Sequence, residues 1–253
     1  ISIFIKSNNI NLVIIGPEKP LSDGIVDYLL KNNYNIKCFG PTKNNARIES
    51  SKIYARCLME KYNLKQYSPD YSIVNSIKFY NHNKTYYNNF MKLLYNHYNS
   101  KFVIKPDGLT SGKGVKIFDE NFNNHEESTE YIRDILKLEF LKNSLDSSDN
   151  LVCKKSNFNY QLLVEEQLIG EEFSIFTFTD GFNMLHSPPF QDFKRLHGNK
   201  GPMTGGMGCQ SFGDKLPKSL SESDLKIAKY INEKVIKACY EENLKIHNRH
   251  EPY

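Results

Sequence analysis

A glycine-rich, lysine-bearing segment, VIKPDGLTSGKGV at residues 103–115, has the composition of a phosphate-binding loop. Glycines let consecutive backbone N–H groups turn toward an anion, and lysines add positive charge. The P-loop signature G-x-x-x-x-G-K-[ST] does not fit, because only three residues separate Gly108 from Gly112. In addition, Lys113 is followed by Gly114, which has no hydroxyl for a metal ion. The residues therefore predict another kind of phosphate loop, or else an ordinary glycine-rich hairpin.

The flanks of this phosphate segment indicate a flap between two strands. Phe102–Ile104 and Val115–Phe118 are rich in β-branched and aromatic residues, so we expect the loop to join two strands rather than a strand and a helix. The flap residues expected to hold a phosphate group are Lys105, Gly108, Ser111, Gly112, Lys113 and Gly114.

Composition excludes several classes of protein. The 253 residues suffice for one large or two ordinary domains, and no apolar run has the length of a membrane span or a signal peptide. The net charge of +4 is small and the lysines are dispersed among acids, so no nucleic-acid surface is predicted. The five cysteines include no C-x-x-C pair, which predicts neither a disulfide framework nor a zinc site and favours a reducing, cytoplasmic compartment.

The amino-terminal region predicts a βαβ unit. Asn11–Ile15 is a short apolar run closed by Gly-Pro, residues 22–33 are helix-like, and Ile36–Phe39 is a second short strand. Ligands of such sheets collect at the carboxyl ends of the strands. The opening ISIFIK alternates like a strand, but it could equally be the end of a helix.

Further along the chain, strands and helices alternate with polar stretches. Ser51 is expected to cap a helix that runs to about Tyr62. The other predicted elements are a helix at 125–143, strands at Leu162–Glu165 and Phe173–Thr179, a long amphipathic helix at Ser221–Glu242 with Ile227, Tyr230, Ile231, Val235 and Cys239 on one face, and solvated loops at 80–89 and 141–150.

Three further stretches share the character of the phosphate segment: SSK at 50–52, LVEEQLIGEEFSIF at 163–176 and QDFKRLHGNKGPMTGGMG at 191–208. Together with IIGPEKPL at 14–21, CFGPT at 38–42 and the phosphate segment itself, they resemble the phosphoribosylamine–glycine ligase (glycinamide ribonucleotide synthetase) family of the ATP-grasp superfamily. The motifs occur in the same order through almost the whole chain.

The resemblance implies an α/β (α+β) architecture with an ATP-grasp fold. Residues 1–45 would be a partial Rossmann-like (pre-ATP-grasp) βαβ domain, and residues 46–253 an ATP-grasp domain with a lid at about 66–166. Relative to the family, we expect the chain to be truncated at both ends. Mg²⁺ is expected as well, with its ligands beyond Tyr253, so no metal ligand is assigned within the chain.

The activity implied is the ligation of glycine to phosphoribosylamine with ATP, by way of a glycyl phosphate. Phosphoryl transfer depends on positioning and on charge neutralisation, so lysines, backbone N–H groups and Mg²⁺ are what the site needs, and no nucleophilic side chain is required. Lys52 and Lys105 match two lysines that hold the ATP phosphates from opposite sides in this superfamily. Without the resemblance, Lys52 alone would be taken as an ordinary surface lysine.

The stretch VEEQL matches the adenine-binding edge of the superfamily. The Glu166 carbonyl and the Leu168 N–H would bond the base, with Glu165 close by, and Glu172 would accept hydrogen bonds from the ribose hydroxyls. The alternative is that these acids are solvated charges at a strand edge.

The stretch at 191–208 would line the pocket for phosphoribosylamine and glycine. Arginine offers a planar fork for a carboxylate or phosphate, and a glycine-dense loop permits close backbone approach. The expected catalytic residues are Asp192, Lys194 and Arg195, and the expected substrate-binding residues are Glu18, Thr204, Gly205 and Gly206. Glu18 could instead be a loop carboxylate without a partner.

Two departures from the family pattern leave other functions open. Phe193 stands where the family usually has histidine, and Met203 stands where it usually has asparagine. The alternatives are another ATP-grasp carboxylate–amine ligase, a catalytically silent nucleotide-binding relative, or part of a protein fused to further purine-pathway domains. RNA binding ranks last, because no aromatic and basic ribonucleoprotein motif occurs. His247 and His250 are too few to make a metal site.

Overall fold

The computed structural model describes residues 1–32, 36–75, 84–109, 114–144, 161–197, 200–213 and 215–247. The chain divides into two compact units. We call Ile1–Ser68 together with Gly170–Tyr253 the first unit, and Pro69–Ile169 the inserted unit.

The described residues alternate helices and strands. The helices are α1 (Ser2–Ser7), α2 (Glu18–Asp23), α3 (Ile25–Lys31), α4 (Arg47–Ser50), α5 (Lys52–Lys61), α6 (Lys84–His97), α7 (Phe118–Asn121), α8 (His125–Ser144) and α9 (Glu222–His247). The strands are β1 (Leu12–Ile14), β2 (Lys37–Phe39), β3 (Tyr71–Asn75), β4 (Phe102–Pro106), β5 (Lys116–Ile117), β6 (Gln161–Glu166), β7 (Phe173–Ser174), β8 (Thr177–Thr179), β9 (Met184–His186), β10 (Phe190–His197) and β11 (Lys200–Ser211). Within these ranges, no helix has the length and apolar character needed to cross a membrane.

The first unit begins with the predicted βαβ arrangement. β1 and β2 form a parallel pair, with Leu12 opposite Lys37, and α2 and α3 connect them. The opening residues form α1, in which the Ile5 N–H donates to the Ile1 carbonyl at 3.0 Å, so the helical interpretation of ISIFIK is correct. Ile5 is the buried residue of α1.

Helix α5 begins and packs as predicted. The Ser51 hydroxyl accepts a hydrogen bond from the Tyr54 N–H at 3.1 Å, which satisfies a donor that has no partner inside the helix. Leu58 of α5 is buried in one cluster with Ala238 and Cys239 of α9. The helix is therefore fixed both at its amino-terminal end and along one side.

The prediction of a single strand at Phe173–Thr179 is wrong. The structure has two short strands, β7 and β8, which pair with β10 and β9 respectively. Between them, the Phe176 N–H donates to the Ser187 hydroxyl at 3.0 Å, and the Phe176 carbonyl accepts from the Ser187 N–H at 2.9 Å. These bonds turn the chain from one sheet into the next, a change that the continuous alternation of the sequence does not reveal.

The last helix is longer and less completely buried than predicted. It runs from Glu222 to His247 rather than from Ser221 to Glu242. Ile227 and Tyr230 are each 44% exposed, whereas Val235 and Cys239 pack in the core shared with α5. The apolar stripe of the sequence is thus covered mainly in its second half.

Two stretches predicted as loops are partly helical. From Lys84 onward, the stretch 80–89 forms the start of α6, so that prediction is wrong; residues 80–83 lie outside the described residues. Met91, Leu94 and Tyr95 on later turns of α6 are buried, and this packing stabilises a helix whose first turns are polar. Similarly, residues 141–144 belong to α8, and 145–150 lie outside the described residues.

The glycine-dense stretch at 191–208 is a hairpin of two strands rather than the predicted loop. β10 and β11 pair antiparallel from Phe190 opposite Ser211 to His197 opposite Lys200, with two register shifts around Arg195. Gly208 lies opposite Phe193 in this ladder, whereas the Gly201 carbonyl and the Gly206 N–H bond to the side chains of Arg195 and Thr204. The positive φ of Gly206, 140°, suits a residue without a side chain in this irregular strand.

The inserted unit is built on a four-stranded antiparallel sheet in the order β3-β6-β4-β5. One face of this sheet packs against α6 and α8, and its side chains are fully buried: Phe102, Ile104, Leu162 and Val164. Full burial of such side chains contributes about 1.5–3 kcal/mol each relative to exposure. This core holds the central strands β4 and β6 in fixed register.

Strands β4 and β5 confirm that the phosphate segment joins two strands. Val103 lies opposite Ile117, and residues 110–113 between them lie outside the described residues. Phe118, predicted as the last strand residue, instead begins α7. Its ring packs 4.8 Å from the ring of Phe102, and the Asn121 side chain accepts a hydrogen bond from the Ile117 N–H at 2.8 Å, which favours the turn into a helix.

Candidate functional site

The central sheet of the inserted unit carries an ion pair between Lys105 and Glu165. In the register, Val103 lies opposite Glu165 and Lys105 lies opposite Leu163, so the two charged side chains project from the same face. Glu165 is fully buried, and its Oε2 accepts a hydrogen bond from the Lys105 Nζ. A buried carboxylate is costly unless it is paired, so Glu165 holds the Lys105 ammonium at this place on β4.

Lys105 lies on β4, within the first residues of the phosphate segment. Two residues beyond the end of β4, Gly108 has a φ of 101°, and a side chain added there would meet no atom of the described residues within 4 Å. Gly108 therefore permits the left-handed turn that starts the loop. Gly114 lies in a turn before β5, and the predicted phosphate ligands Ser111, Gly112 and Lys113 lie outside the described residues.

The predicted adenine edge, Glu166 to Leu168, begins at the last residue of β6 and continues directly beyond the strand. The Gln167 N–H donates to the Lys101 carbonyl at 3.1 Å, and the Glu166 N–H donates to the Asp70 carbonyl at 3.0 Å. Leu168 is 69% exposed, and none of the described residues accepts a hydrogen bond from its N–H. The Oε1 of Gln167 is buried and also has no partner among the described residues. This edge therefore offers unsatisfied backbone and side-chain groups.

In the first unit, Asp192, Lys194 and Glu172 come together at the pairing of β7 with β10. The Ser174 hydroxyl donates to Asp192 Oδ2 at 2.5 Å, and the Asp192 N–H donates to the Glu172 carbonyl at 3.1 Å. Lys194 Nζ lies 3.7 Å from Glu172 Oε2 and 4.0 Å from Asp192 Oδ2. The side chains of Lys194 and Glu172 are 35% and 52% exposed, so the ammonium lies between two carboxylates that solvent reaches.

Arg195 and Thr204 are engaged within the hairpin. Arg195 Nη1 donates to the Gly201 carbonyl at 2.8 Å across the β10–β11 turn. The Thr204 hydroxyl donates to the Lys194 carbonyl at 2.8 Å and accepts from the Gly206 N–H at 3.1 Å. Thr204 thus fixes the backbone of the lysine next to the carboxylates. Gly205 and Gly206 are exposed beside it.

Lys52 and Glu18 occupy the first positions of two helices in the first unit. Lys52 follows the Ser51 cap as the first residue of α5. Glu18 begins α2, is exposed, and pairs with no described residue. Lys52 belongs to the first unit and Lys105 to the inserted unit, so their shared role at one phosphate group remains a prediction.

The two departures from the family pattern lie on the hairpin. Phe193 is opposite Gly208 on β11, and Met203 is opposite Arg195 on β10. Sequence reasoning missed Ser174, which binds Asp192, and Asp70, which lies opposite Glu166. Ser174 had a local signal, since it follows Glu172 at strand spacing, but Asp70 is 96 residues from Glu166 and had none.

A charged cluster anchors α5, the helix that begins with Lys52. Glu242 of α9 accepts hydrogen bonds from Lys61 Nζ at 2.9 Å and from the Tyr62 hydroxyl at 2.7 Å. The bond from Lys61, followed by that from Tyr62, lowers the pKa of Glu242 to about 2. Burial, with the Glu242 contact second, raises the pKa of Tyr62 to about 12.

No metal centre is formed by the described residues: they contain no group of three or more His, Cys, Asp or Glu side chains placed to hold an ion. Cys38, Cys209 and Cys239 are free thiols, and Cys153 lies outside the described residues.

Comparisons with known proteins agree with this architecture. The model of the phosphoribosylglycinamide synthetase ATP-grasp (A) domain matches residues 50–247, and that of the N domain of the same enzyme matches residues 1–49. Phosphoribosylamine–glycine ligase of Methanosphaera stadtmanae is 37% identical over 243 residues, which are 94% of this chain and 48% of that protein. A bifunctional purine biosynthetic protein of Dictyostelium discoideum is 36% identical over 210 residues, 83% of this chain and 22% of that protein.

A solved structure gives the same fold. The crystal structure of phosphoribosylamine–glycine ligase from Thermotoga maritima aligns with a TM-score of 0.57 at 24% identity, covering 91% of this chain and 47% of that one. This chain spans about half the length of the curated relatives first matched. The predicted ATP-grasp fold with a small amino-terminal βαβ domain is confirmed. The chain belongs to the phosphoribosylglycinamide synthetase family.

Proposed function

We propose that this chain carries the nucleotide-binding part of a ligase that joins glycine to 5-phosphoribosylamine. The products are glycinamide ribonucleotide, ADP and phosphate, and the reaction belongs to de novo purine synthesis. The observation that carries the proposal is the ion pair of Lys105 with the fully buried Glu165, at the entrance to a glycine-rich loop in an ATP-grasp chain. A fixed ammonium beside the backbone N–H groups of a glycine-rich segment suits a polyphosphate.

Lys105 and Lys52 are the proposed cations for the phosphates of ATP. An ammonium group has three donors, so Lys105 can bind Glu165 and still donate to a phosphate oxygen. Glu165 would set the position of the ammonium, and the loop at Gly108–Gly114 would contribute backbone N–H groups. Mg²⁺ is the cation expected with ATP in such enzymes, where it would offset the charge of the phosphates.

The adenosine part would lie along the edge that follows β6. The Glu166 carbonyl would accept from the 6-amino group of adenine, and the Leu168 N–H would donate to a ring nitrogen. Glu172, which is half exposed, would accept hydrogen bonds from the ribose hydroxyls. The Glu166 carbonyl and the Leu168 N–H have no hydrogen-bond partner among the described residues, which supports the assignment.

The acceptor substrates would lie at the β7–β10 pairing. There Lys194 between two carboxylates suits a zwitterion: the ammonium would hold the glycine carboxylate, and Asp192 would bind an amine. A carboxylate oxygen of glycine would attack the γ-phosphorus of ATP as the bond between that phosphorus and ADP breaks, which gives glycyl phosphate. The amine of phosphoribosylamine would then attack the acyl carbon of glycyl phosphate and displace phosphate. Arg195, Thr204, Gly205, Gly206 and Glu18 complete the proposed substrate surface.

We also propose a cytoplasmic location and fusion to further purine-pathway domains. The free thiols suit a reducing compartment, and the bifunctional relative of Dictyostelium shows that such a domain occurs in longer proteins. The lid is proposed to correspond to the inserted unit.

The proposal is tested with the full-length protein, ATP, glycine and phosphoribosylamine, by measuring ADP release. We expect release to require both glycine and phosphoribosylamine. Tight ATP binding without glycine-dependent ADP would identify a catalytically silent relative, which Phe193 and Met203 would then explain. Release that depends on another carboxylate and amine would identify a different ATP-grasp ligase.

A further inference from the structure

At the end of β6, one backbone hydrogen bond of the sheet is replaced by a side-chain bond. The register pairs Tyr71 with Glu165, so Asp70 and Glu166 lie opposite each other one residue further on. The Glu166 N–H donates to the Asp70 carbonyl at 3.0 Å, as an antiparallel ladder requires. The return bond would run from the Asp70 N–H to the Glu166 carbonyl. The Asp70 N–H donates instead to Glu166 Oε1, at 3.0 Å.

Because the Asp70 N–H bonds to the Glu166 side chain, the Glu166 main-chain carbonyl does not accept that hydrogen bond. On the β4 side, the Gln167 N–H donates to the Lys101 carbonyl, so Gln167 and Lys101 are a hydrogen-bonded pair of the ladder. Glu166 and Phe102, the next pair, are therefore a non-hydrogen-bonded pair. Within the part of the chain that the structure describes, no donor reaches the Glu166 carbonyl. Its neighbour Leu168 is exposed, so a ligand can approach this edge.

Further contacts hold Asp70 in place. His97 Nε2 lies 2.6 Å from Asp70 Oδ2, and the His97 ring packs edge-on against Tyr98 with 4.6 Å between centroids. The Tyr98 hydroxyl lies 3.0 Å from the Ser72 hydroxyl on β3. These contacts fix the start of β3, so the Asp70 N–H keeps its direction toward the Glu166 carboxylate.

We propose that the Glu166 carboxylate is a positioning group for the purine base. By accepting the Asp70 N–H, it keeps the Glu166 main-chain carbonyl available to the 6-amino group of an adenine nucleotide. This inference rests on the proposed function, in which that carbonyl binds adenine. The arrangement selects for a base that donates at position 6, because a 6-oxo purine presents an acceptor there and would face the carbonyl without a hydrogen bond.

Equilibrium binding of ATP and of ITP, which differ by the 6-amino and 6-oxo groups, tests the role of this side chain in the full chain. Glu166→Leu removes the competing acceptor, so the Asp70 N–H is expected to close onto the carbonyl. The ratio of ATP to ITP affinity should then fall about two- to tenfold, the size of one neutral hydrogen bond. Glu166→Gln keeps an acceptor oxygen and should retain most of the ratio. Glu130→Leu, on an exposed position of α8, is the matched control.

The outcomes separate the two proposals. If the unsubstituted chain prefers ATP and Glu166→Leu keeps the same ATP-to-ITP ratio, the positioning role is wrong while the ATP site stands. The role is equally wrong if Glu166→Gln loses as much of the ratio as Glu166→Leu. If the unsubstituted chain binds neither nucleotide, the proposed function fails and the positioning role fails with it.

Discussion

The inserted unit and the first unit hold their charged residues in different ways. Glu165 is fully buried on the central sheet of the inserted unit and is bound by Lys105. In the first unit, Lys194 lies 3.7 and 4.0 Å from two carboxylates that solvent reaches. Removing the partner of a buried charge costs about 3–5 kcal/mol, whereas an exposed pair contributes about 0–1 kcal/mol. One pair is therefore part of the folded core, and the other is a solvent-exposed cluster.

Substitution of Lys105 should have the largest effect on stability. Lys105→Met leaves Glu165 buried without its cation, and we expect the free energy of unfolding to fall by about 3 kcal/mol. Urea denaturation followed by circular dichroism measures this. The matched control is Lys65→Met, which breaks an exposed ion pair in which Lys65 Nζ lies 3.4 Å from Glu60 Oε1. This substitution should change the free energy of unfolding by less than about 0.5 kcal/mol. Equal losses in the two variants would remove the distinction between buried and exposed pairs.

In the first unit, we expect the charge of Glu242 to stabilise the fold; this residue belongs to α9 and not to the β10–β11 hairpin. Glu242→Gln weakens the contacts with Lys61 and Tyr62, and we expect a loss of about 2 kcal/mol at neutral pH. Because folding lowers the pKa of Glu242 to about 2 from an ordinary value of 4.5, its contribution is complete above about pH 4.5 and disappears as the pH falls toward 2.

Denaturation of the wild type and of Glu242→Gln between pH 7 and pH 2 checks this dependence. The difference between the two proteins should shrink steadily below pH 4.5. A difference that stayed constant down to pH 2 would show that the carboxylate charge is not the stabilising feature.

Substitution of Lys194 should have the smallest effect on stability. Lys194→Met removes an ammonium that is 35% exposed, and we expect the free energy of unfolding to change by less than about 0.5 kcal/mol. Thermal denaturation of the variant beside Lys105→Met gives the comparison directly. A loss as large as that of Lys105→Met would mean that the cluster at Asp192 is structural rather than available to a ligand.

The sequence predicted elements whose signals are local. The βαβ start, the capped helix after Ser51 and the strands that flank the phosphate segment follow from short apolar runs, glycine-proline turns and a capping residue. Each of these signals lies within a few residues of the element it determines, so no knowledge of the tertiary structure was needed.

What the sequence did not predict depends on distant partners. The glycines at 201–208 form a strand only because β10 supplies the ladder, and α6 forms from a polar start because Met91 and Leu94 reach the core. At the site, the contact of Asp70 with Glu166 joins residues 96 positions apart. The intrinsic propensities and the spacing of residues do not predict pairings between such distant positions.

The central claim is that Lys105, held by Glu165, binds the phosphates of ATP. Calorimetric titration of the full-length protein with ATP, beside the Lys105→Met variant at a temperature where both are folded, tests it most directly. The account predicts an affinity loss of about 1.5–3 kcal/mol, the size of a charge-assisted hydrogen bond. An affinity for ATP that is the same in both proteins would contradict it.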